Sequence, residues 1–217
     1  MSAAPSARAI IFDLDGTLVD SAPGIATAVA LAYEEVGVTP PPRDEIRTWI
    51  GPPVQRTLER ELAVHGGDVI ATAQAAFRRH YDALGAETAM VFDGIHGVLA
   101  HLQADGAALA VATHKPQPLA GKTLEATGLA SYFVAVHAPP DGGTPVSKPD
   151  LVAAAIADCG HPADVVVVGD RAEDIEAAVQ HHARAVGVMW GYGSPEELHA
   201  AGAIVVVQRV AELYAAL

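Results

Sequence analysis

Hydrophobic and polar positions follow two patterns along this chain. Near the N-terminus and again after Phe92, short apolar runs alternate with amphipathic stretches, whereas residues 43–84 show helical periodicity without a strand-like run. The apolar runs predict strands at residues 9–12, 107–112, 133–137, 164–168, 184–188 and 203–207. Strands separated by single helices are typical of βαβ units, so we expect a parallel sheet with right-handed crossovers.

The amphipathic stretches predict the helices around this sheet. The first begins at Ser21, a good N-cap residue, and ends at Gly37. The others are expected at residues 44–49, 54–64, 69–84, 94–103, 119–127, 149–158, 172–181, 195–201 and 210–217. The predicted fold class is therefore α/β, with a Rossmann-like, doubly wound parallel sheet as its core. Residues 1–20 and 86–217 should form this core, and residues 21–85 an inserted all-helical segment.

The composition narrows the class of partner. The 217 residues include 13 Lys and Arg against 26 Asp and Glu, a net charge of −13, which argues against nucleic acid or an anionic membrane as a partner. The single cysteine, Cys159, excludes an intrachain disulfide. No apolar run is long enough to span a bilayer, and residues 1–8 lack an apolar signal core. We therefore expect a cytoplasmic protein, a monomer or homodimer, that acts on a small molecule.

Two carboxylates follow the first predicted strand. Leu14 separates Asp13 from Asp15, so in an extended backbone both acids lie on the same face. Two like charges this close require a cation, and Mg²⁺ is the hard, oxygen-binding ion that fits best. Gly16 allows a sharp turn, and Thr17 adds a hydroxyl. Taken alone, the same residues could be no more than a turn after a strand.

Polar residues also follow later apolar runs. Thr113 comes directly after one such run, and Gly169-Asp170 follows another. Lys148 precedes a proline that should open a helix, and Asp174 lies one helical turn beyond Asp170. Open parallel sheets bind ligands at the carboxyl ends of their strands, so these residues are candidates for one site. Each has a simpler explanation by itself, either as a helix cap, as a solvated loop charge or as an acid at a helix N-terminus.

Taken together, these residues resemble, in order, the four sequence motifs of the haloacid-dehalogenase-like superfamily of phosphotransferases. The motifs are Asp13-Leu14-Asp15-Gly16-Thr17, Thr113, Lys148, and Gly169-Asp170 with Asp174. The resemblance covers nearly the whole chain, because the helical insert is similar to the family's cap of the first type. A resemblance to the phosphoglycolate-phosphatase-like branch rests on Trp49-Ile50-Gly51-Pro52-Pro53, Val111-Ala112-Thr113 with Lys115-Pro116, Gly169-Asp170-Arg171, and Trp190-Gly191-Tyr192-Gly193-Ser194. The chain departs from that branch at His114, where serine is usual, and at Ala177, which replaces a usual glycine.

This resemblance implies a Mg²⁺-dependent phosphatase that hydrolyses a small phosphomonoester through an aspartyl-phosphate intermediate. It implies that Asp13 is the nucleophile and that Asp15 is the general acid and base. The residues expected around the transferring phosphoryl group are Asp13, Gly16, Thr17, Thr113, His114 and Lys148. The expected metal ligands are Asp13, the main-chain carbonyl of Asp15, Asp170 and Asp174. The candidate substrate contacts are Arg47, Gly51, Arg56 and Arg171.

Several functions remain open at this point. Phosphoglycolate and nucleoside monophosphates are the candidate substrates of a phosphatase. A dehalogenase would lack the second acid, Asp15, and phosphonate hydrolysis would require a lysine in the cap, where the sequence has none. A sugar-phosphate mutase of the same superfamily keeps all four motifs. A phosphoacceptor receiver, which is a non-catalytic switch, also combines acids, a hydroxyl and a lysine, but it is much shorter and carries its acceptor on a middle strand.

Overall fold

The computed structural model describes residues 8–141 and 146–217. In chain order its strands are β1 (Arg8–Phe12), β2 (Val19–Asp20), β3 (Met90–Val91), β4 (Ala108–Ala112), β5 (Ala135–His137), β6 (Asp164–Gly169), β7 (Arg184–Val188) and β8 (Val205–Val207). Six of them form one parallel sheet in the order β5-β4-β1-β6-β7-β8. Each strand predicted from an apolar run is therefore present, within two residues at either end. Residues 1–7, where no signal segment is expected, lie outside the described part of the chain.

The strand order determines where a ligand can bind. From β1 the chain builds the sheet outward through β4 and β5, and then returns to the other side of β1 with β6, β7 and β8. The order therefore reverses between β1 and β6, as in doubly wound dinucleotide-binding folds. Open sheets of this kind bind ligands in the crevice beyond the carboxyl ends of the strands at such a switch point. Asp13 follows β1 and Asp170 follows β6, so both acids lie at this position.

Helices cover both faces of the sheet. In chain order they are α1 (Ala22–Glu35), α2 (Arg43–Arg47), α3 (Val54–Glu61), α4 (Gly67–Leu84), α5 (Ile95–Ala104), α6 (Gln117–Ala126), α7 (Lys148–Asp158), α8 (Ala172–Gln180), α9 (Pro195–Ala200) and α10 (Val210–Ala216). Short 3₁₀ turns occupy Ala63–His65 and Ala130–Tyr132. The predicted helix at 54–64 is therefore shorter than expected, because its last turn tightens into the first of these 3₁₀ segments.

Alternate residues of the buried strands pack into different cores. In β1, Ile10 and Phe12 join a cluster that contains α5 and α10, whereas Ala9 and Ile11 face α7 and α8 on the other side of the sheet. This alternation follows from the two-residue period of a strand, and it explains why β1 is apolar throughout. A third buried cluster lies among α1, α2, α3 and α4, which pack chiefly on one another.

The antiparallel pair β2 and β3 joins the two ends of the helical segment. Val19 lies opposite Val91, and Asp20 lies opposite Met90. The chain thus leaves towards α1 and returns before α5 through two neighbouring strands. Two residues are too few for a recognisable alternation of apolar and polar positions, so the sequence did not predict this ribbon.

Ser21 does not cap α1 in the way the sequence suggests. It occupies the N-cap position, but its side chain makes no capping hydrogen bond. Its hydroxyl instead donates to the carboxylate of Asp15. By contrast, Ser147 and Ser194 accept hydrogen bonds from the main-chain N–H groups of Asp150 and Glu197 and cap α7 and α9.

Among the described residues, no helix combines the length and the apolar character that crossing a membrane requires.

Candidate active site

Three side chains from distant parts of the sequence meet at the carboxyl edge of β1 and β6. Lys148, the first residue of α7, places its Nζ 2.7 Å from Asp13 Oδ1 and 2.8 Å from Asp174 Oδ1. The same ammonium donates to the main-chain carbonyl of Ala112 at 3.0 Å. Three acceptors therefore take the three donors of one buried lysine.

The charges of this cluster shift the pKa values of its members. Burial raises the pKa of Asp13 to about 6, although the neighbouring Lys148 opposes that shift. Burial alone would lower the pKa of Lys148, but the carboxylates of Asp13 and Asp174 raise it above its ordinary value. Lys148 therefore remains an ammonium and offsets the negative charge of Asp13.

Asp13, Asp170 and Asp174 form a buried group of carboxylates. Each of them offers an oxygen within 4.8 Å of the others. Burial, together with the charges of Asp13 and Asp174, raises the pKa of Asp170 well above its ordinary value. One ammonium does not neutralise three carboxylates, and an all-oxygen donor set is the kind that hard divalent cations prefer. The residues present therefore fit a metal ion such as Mg²⁺.

Asp170 is held in place by the loop after β1 and by the loop after β7. Thr17 Oγ1 donates to Asp170 Oδ1 at 3.0 Å, and the main-chain N–H of Tyr192 donates to Oδ2 at 2.8 Å. The Asp170 carboxylate lies directly against Gly16, which has a φ of 92°, and a Cβ atom there would collide with it. Gly16 is thus required both by its backbone conformation and by the close approach of this acid.

Asp15 lies beside this group and has a cation of its own. Lys115 Nζ is 3.0 Å from Asp15 Oδ1 and 3.2 Å from Oδ2, and it is 2.5 Å from the phenolic oxygen of Tyr81 in α4. Together with Ser21, these contacts surround the Asp15 carboxylate with donors. The charge of Asp15 overcomes the effect of burial and raises the pKa of Lys115 above its ordinary value.

Thr113 and His114 lie in the loop between β4 and α6. Thr113 does not cap α6, because that helix begins only at Gln117. The Thr113 hydroxyl instead accepts a hydrogen bond from the main-chain N–H of Lys115 at 3.2 Å. His114 Nδ1 lies 3.1 Å from Glu173 Oε2, so this departure from the family pattern links the loop to α8.

A cavity of about 360 Å³ connects these groups with the helical segment. Asp13, Asp15 and Thr113 line it at the carboxyl edge of the sheet, and its remaining wall is mostly apolar. Of the predicted substrate contacts, Gly51 and Arg56 line it, and Arg78 of α4 is a further guanidinium that the sequence analysis did not identify. The side chains of Arg56 and Arg78 have no hydrogen-bond or ion-pair partner among residues 8–141 and 146–217.

The other two predicted contacts, Arg47 and Arg171, are not part of the described cavity wall. The guanidinium of Arg47 lies 4.9 Å from the centre of the Tyr192 ring and 3.7 Å from Asp20. Arg171 donates to the main-chain carbonyl of Ile50, in the loop before α3, and to Glu197 at 2.8 Å. Both arginines therefore connect the helical segment to the loops of the sheet.

Sequence reasoning missed the partners of Asp15. The sequence analysis names Lys115 only as part of the branch resemblance, in Lys115-Pro116, and covers Tyr81 only as part of the helical stretch at residues 69–84. The one available signal was the rarity of lysine, which occurs only three times in the chain. Two of these lysines, Lys115 and Lys148, lie buried against the acids of the first motif. Nothing in the sequence indicated that Tyr81 would contact Lys115.

Comparison with known proteins agrees with this arrangement. The family model of the haloacid dehalogenase-like hydrolases matches residues 7–182, and the chain belongs to that family. The chain is 30% identical over 232 residues to a phosphoglycolate phosphatase of Escherichia coli strain K12, with 97% of this chain and 92% of the relative covered. A solved structure described as a predicted phosphatase from Clostridium acetobutylicum has a TM-score of 0.86 at 31% identity and covers 96% of this chain and 97% of its own. These matches confirm the expected family and fold class and support the expected phosphatase.

A second group of relatives carries a different name. The chain is 38% identical over 189 residues to the tyrosine-protein kinase PtkA of Mycobacterium tuberculosis strain H37Rv. The match covers 87% of this chain but only 64% of that relative's length. The similarity therefore concerns a part of the longer protein.

Proposed function

We propose that the protein is a Mg²⁺-dependent phosphatase that hydrolyses a small phosphomonoester through an aspartyl phosphate on Asp13. The observation that carries this proposal is the contact of Lys148 with Asp13 at 2.7 Å beside two further buried carboxylates. A phosphate dianion approaching Asp13 meets strong electrostatic repulsion unless cations offset both charges. One ammonium and an oxygen-lined metal site beside a carboxylate meet that requirement.

The proposal assigns the chain to two parts. Residues 1–20 and 86–217 form the catalytic core, and residues 21–85 form a helical cap of the first type. The separate buried cluster of α1 to α4 supports this division, as does the β2–β3 ribbon at its base. In this assignment the cap covers the site during the reaction and excludes water from it.

In the first step, the Asp13 carboxylate attacks phosphorus in line, and the bond to the leaving oxygen breaks. Lys148 balances the charge of Asp13 and attracts the phosphoryl oxygens through its positive charge, since its three N–H donors are already bonded, and the Thr113 hydroxyl donates to one of these oxygens. Gly16, Thr17 and His114 complete the surroundings of the phosphoryl group. Each donor that is directed in advance at the developing charge contributes on the order of 10²–10³ in rate.

Asp15 transfers the protons. It gives a proton to the leaving oxygen in the first step, and in the second it accepts one from the water that attacks the aspartyl phosphate. Asp15 can act first as an acid and then as a base because the attack of water on the aspartyl phosphate is chemically the reverse of the departure of the leaving oxygen. Its position at the cavity wall beside Asp13 supports this role.

The metal ion would be held by Asp13, Asp170 and Asp174 and by the main-chain carbonyl of Asp15. When it is bound, it supplies positive charge that offsets the charge of the phosphoryl oxygens.

The cavity supports a substrate with a sizeable leaving group. Its volume of about 360 Å³ lies within the range of small-molecule sites and exceeds what a two-carbon phosphoester fills. Phosphoglycolate remains a candidate because of the phosphoglycolate phosphatase relatives, and nucleoside monophosphates fit the mostly apolar wall. Gly51, Arg56 and Arg78 are the proposed contacts of the leaving group.

The test is a substrate panel with and without Mg²⁺. We expect turnover of p-nitrophenyl phosphate and, with higher kcat/KM, of one of the candidate metabolites. A receiver-type switch would give essentially no turnover with any of them. A sugar-phosphate mutase would convert a hexose phosphate to its isomer faster than it releases inorganic phosphate, and that outcome would contradict the hydrolase.

A second candidate follows from the mycobacterial relatives named tyrosine-protein kinase, whose identity to this chain is 38%. In this alternative Asp13 would pass its phosphoryl group to a protein tyrosine instead of to water. Incubation with γ-labelled ATP, Mg²⁺ and a tyrosine-containing protein distinguishes the two. Label on tyrosine favours the kinase, whereas release of labelled phosphate alone favours the phosphatase.

A further inference from the structure

Lys115 is a buried lysine to which the mechanism above gives no role. Its side chain is 1% exposed, and its Nζ contacts both carboxylate oxygens of Asp15 and the phenolic oxygen of Tyr81. The ammonium also lies 4.8 Å from the centre of the Tyr81 ring. These contacts hold the ammonium in one orientation relative to Asp15.

The three residues come from different parts of the fold. Asp15 follows β1, Lys115 follows β4, and Tyr81 belongs to α4 in the helical segment. Tyr81 is itself held by Phe77, whose ring stacks on it at a centroid distance of 5.4 Å. The contact between Tyr81 and Lys115 therefore exists only when α4 lies over the sheet, as it does in this structure.

The Asp15 carboxylate is fixed from two sides. The hydroxyl of Ser21 donates to Oδ1, and the ammonium of Lys115 lies within 3.2 Å of both oxygens. The carboxylate also lines the cavity next to Asp13. A group that transfers a proton must lie within hydrogen-bond reach of the reacting oxygen in the correct orientation, and small displacements are costly.

We propose that Lys115 and Tyr81 are positioning residues that orient the Asp15 carboxyl group for proton transfer, and that Tyr81 contributes only when the helical segment covers the site. The proposal rests on the phosphatase function given above, since it requires Asp15 to protonate the leaving oxygen. Proton transfer matters for an alkoxide, which is a poor leaving group, and matters little for p-nitrophenolate. The decrease in kcat/KM when this positioning is lost should therefore depend on the leaving group.

The test compares kcat/KM of wild type and Tyr81→Phe on two esters. Phenylalanine keeps the ring that stacks on Phe77 and removes only the phenolic oxygen that contacts Lys115. For the alkyl phosphate that the wild type hydrolyses fastest, kcat/KM should fall roughly 10-fold, a part of the 10²–10⁴ that general acid catalysis contributes. For p-nitrophenyl phosphate it should fall by less than about 3-fold, because its leaving group needs no proton. Lys115→Met should show the same pattern with a larger loss on the alkyl ester.

Tyr33→Phe is the matched control. Tyr33 is a buried tyrosine in the same helical cluster, and its hydroxyl has no hydrogen-bond partner among the described residues. Its loss should change neither kcat/KM value. If Tyr81→Phe loses the same factor on both esters, or loses nothing on either, the positioning role is overturned while the phosphatase stands. If the wild type hydrolyses neither ester, the proposed function is overturned and this inference with it.

Discussion

Lys148 Nζ lies 2.7 Å from Asp13 Oδ1, although 135 positions separate the two residues in the chain. The Lys148 ammonium extends from the first turn of α7, and the Asp13 carboxylate belongs to the residue that follows β1. This ion pair is almost completely buried, so neither charge is screened by water.

Replacing Asp13 by Asn should abolish turnover and leave the fold intact. The amide is not a nucleophile, and Lys148 keeps Asp174 as an anionic partner at 2.8 Å. We expect kcat to fall on the order of 10⁴-fold or more, with an unchanged circular dichroism spectrum. Asp68→Asn, at an exposed position in the first turn of α4, is the control and should keep full activity. Substantial turnover by Asp13→Asn would show that another group is the nucleophile.

Replacing Asp170 by Asn should have opposite effects on stability with and without Mg²⁺. Without the ion, the change removes a buried charge beside Asp13 and Asp174, and the amide can still accept from Tyr192 N–H and donate to Thr17. The melting temperature should therefore rise above that of the wild type. With Mg²⁺ at 100 times its Kd, the wild type should gain about 2.7 kcal/mol, or roughly 5–10 °C for a chain of this length.

Mg²⁺ should raise the melting temperature of the Asp170→Asn variant only slightly. Thermal melts of both proteins with EDTA and across a Mg²⁺ titration measure this directly. Equal Mg²⁺-dependent stabilisation of wild type and Asp170→Asn would place the ion elsewhere. The measurement does not depend on enzymatic activity, so it tests the metal site alone.

Replacing Gln55 by Trp should change the size of substrate that the cavity accepts. Gln55 lines the cavity and is only partly buried, so a larger side chain can be accommodated without disturbing the helical cluster. We expect kcat/KM for a nucleoside monophosphate to fall at least about 10-fold and that for phosphoglycolate by less than about 3-fold, since one bulky group changes discrimination by about 1–3 kcal/mol. Glu59→Trp, one turn further along α3 and exposed, should change neither. A uniform loss across the panel would mean that the leaving group lies elsewhere.

Replacing Arg171 by Met should raise KM for every substrate by a similar factor. Arg171 ties the loop at Ile50 to α8, whereas Glu197 keeps a second partner in the Ala172 N–H at 2.8 Å. A lost hydrogen bond to a charged group is worth about 1.5–3 kcal/mol, which corresponds to roughly 10- to 100-fold in KM. Arg60→Met is the control, since among the described residues its guanidinium pairs only with Glu61. An effect confined to substrates with a second anionic group would instead indicate direct contact with the substrate.

The sheet and the central acids could be predicted because local sequence determines them. A run such as Val165 to Val168 is apolar enough to be a strand buried on both faces, and the residue after such a strand has a known place in an open parallel sheet. The positions of Asp13 and Asp170 follow from these two facts. Lys148 and Asp174 could not be assigned to the site from their own surroundings, which also fit a solvated loop charge and an acid at a helix N-terminus. Only the order of all four motifs along the chain indicated that they belong to it.

The remaining site residues could not be predicted because their roles depend on packing between distant segments. Tyr81 meets Lys115 only through the placement of α4 over the sheet, and the Tyr192 hydroxyl reaches Asp20 from a loop 172 positions away. Ser21 shows the same limit at short range. Its sequence neighbourhood is that of a helix cap, and a neighbouring carboxylate takes its hydroxyl instead.

The distribution of the three lysines has a practical consequence. Lys115 and Lys148 are buried against carboxylates, whereas Lys122 on α6 is exposed. An amine-reactive dye or cross-linker added to the folded protein should therefore modify a single lysine side chain, on the solvent side of a helix. The other two should become reactive only on unfolding, so a peptide map of labelled lysines would report how much of a preparation is folded.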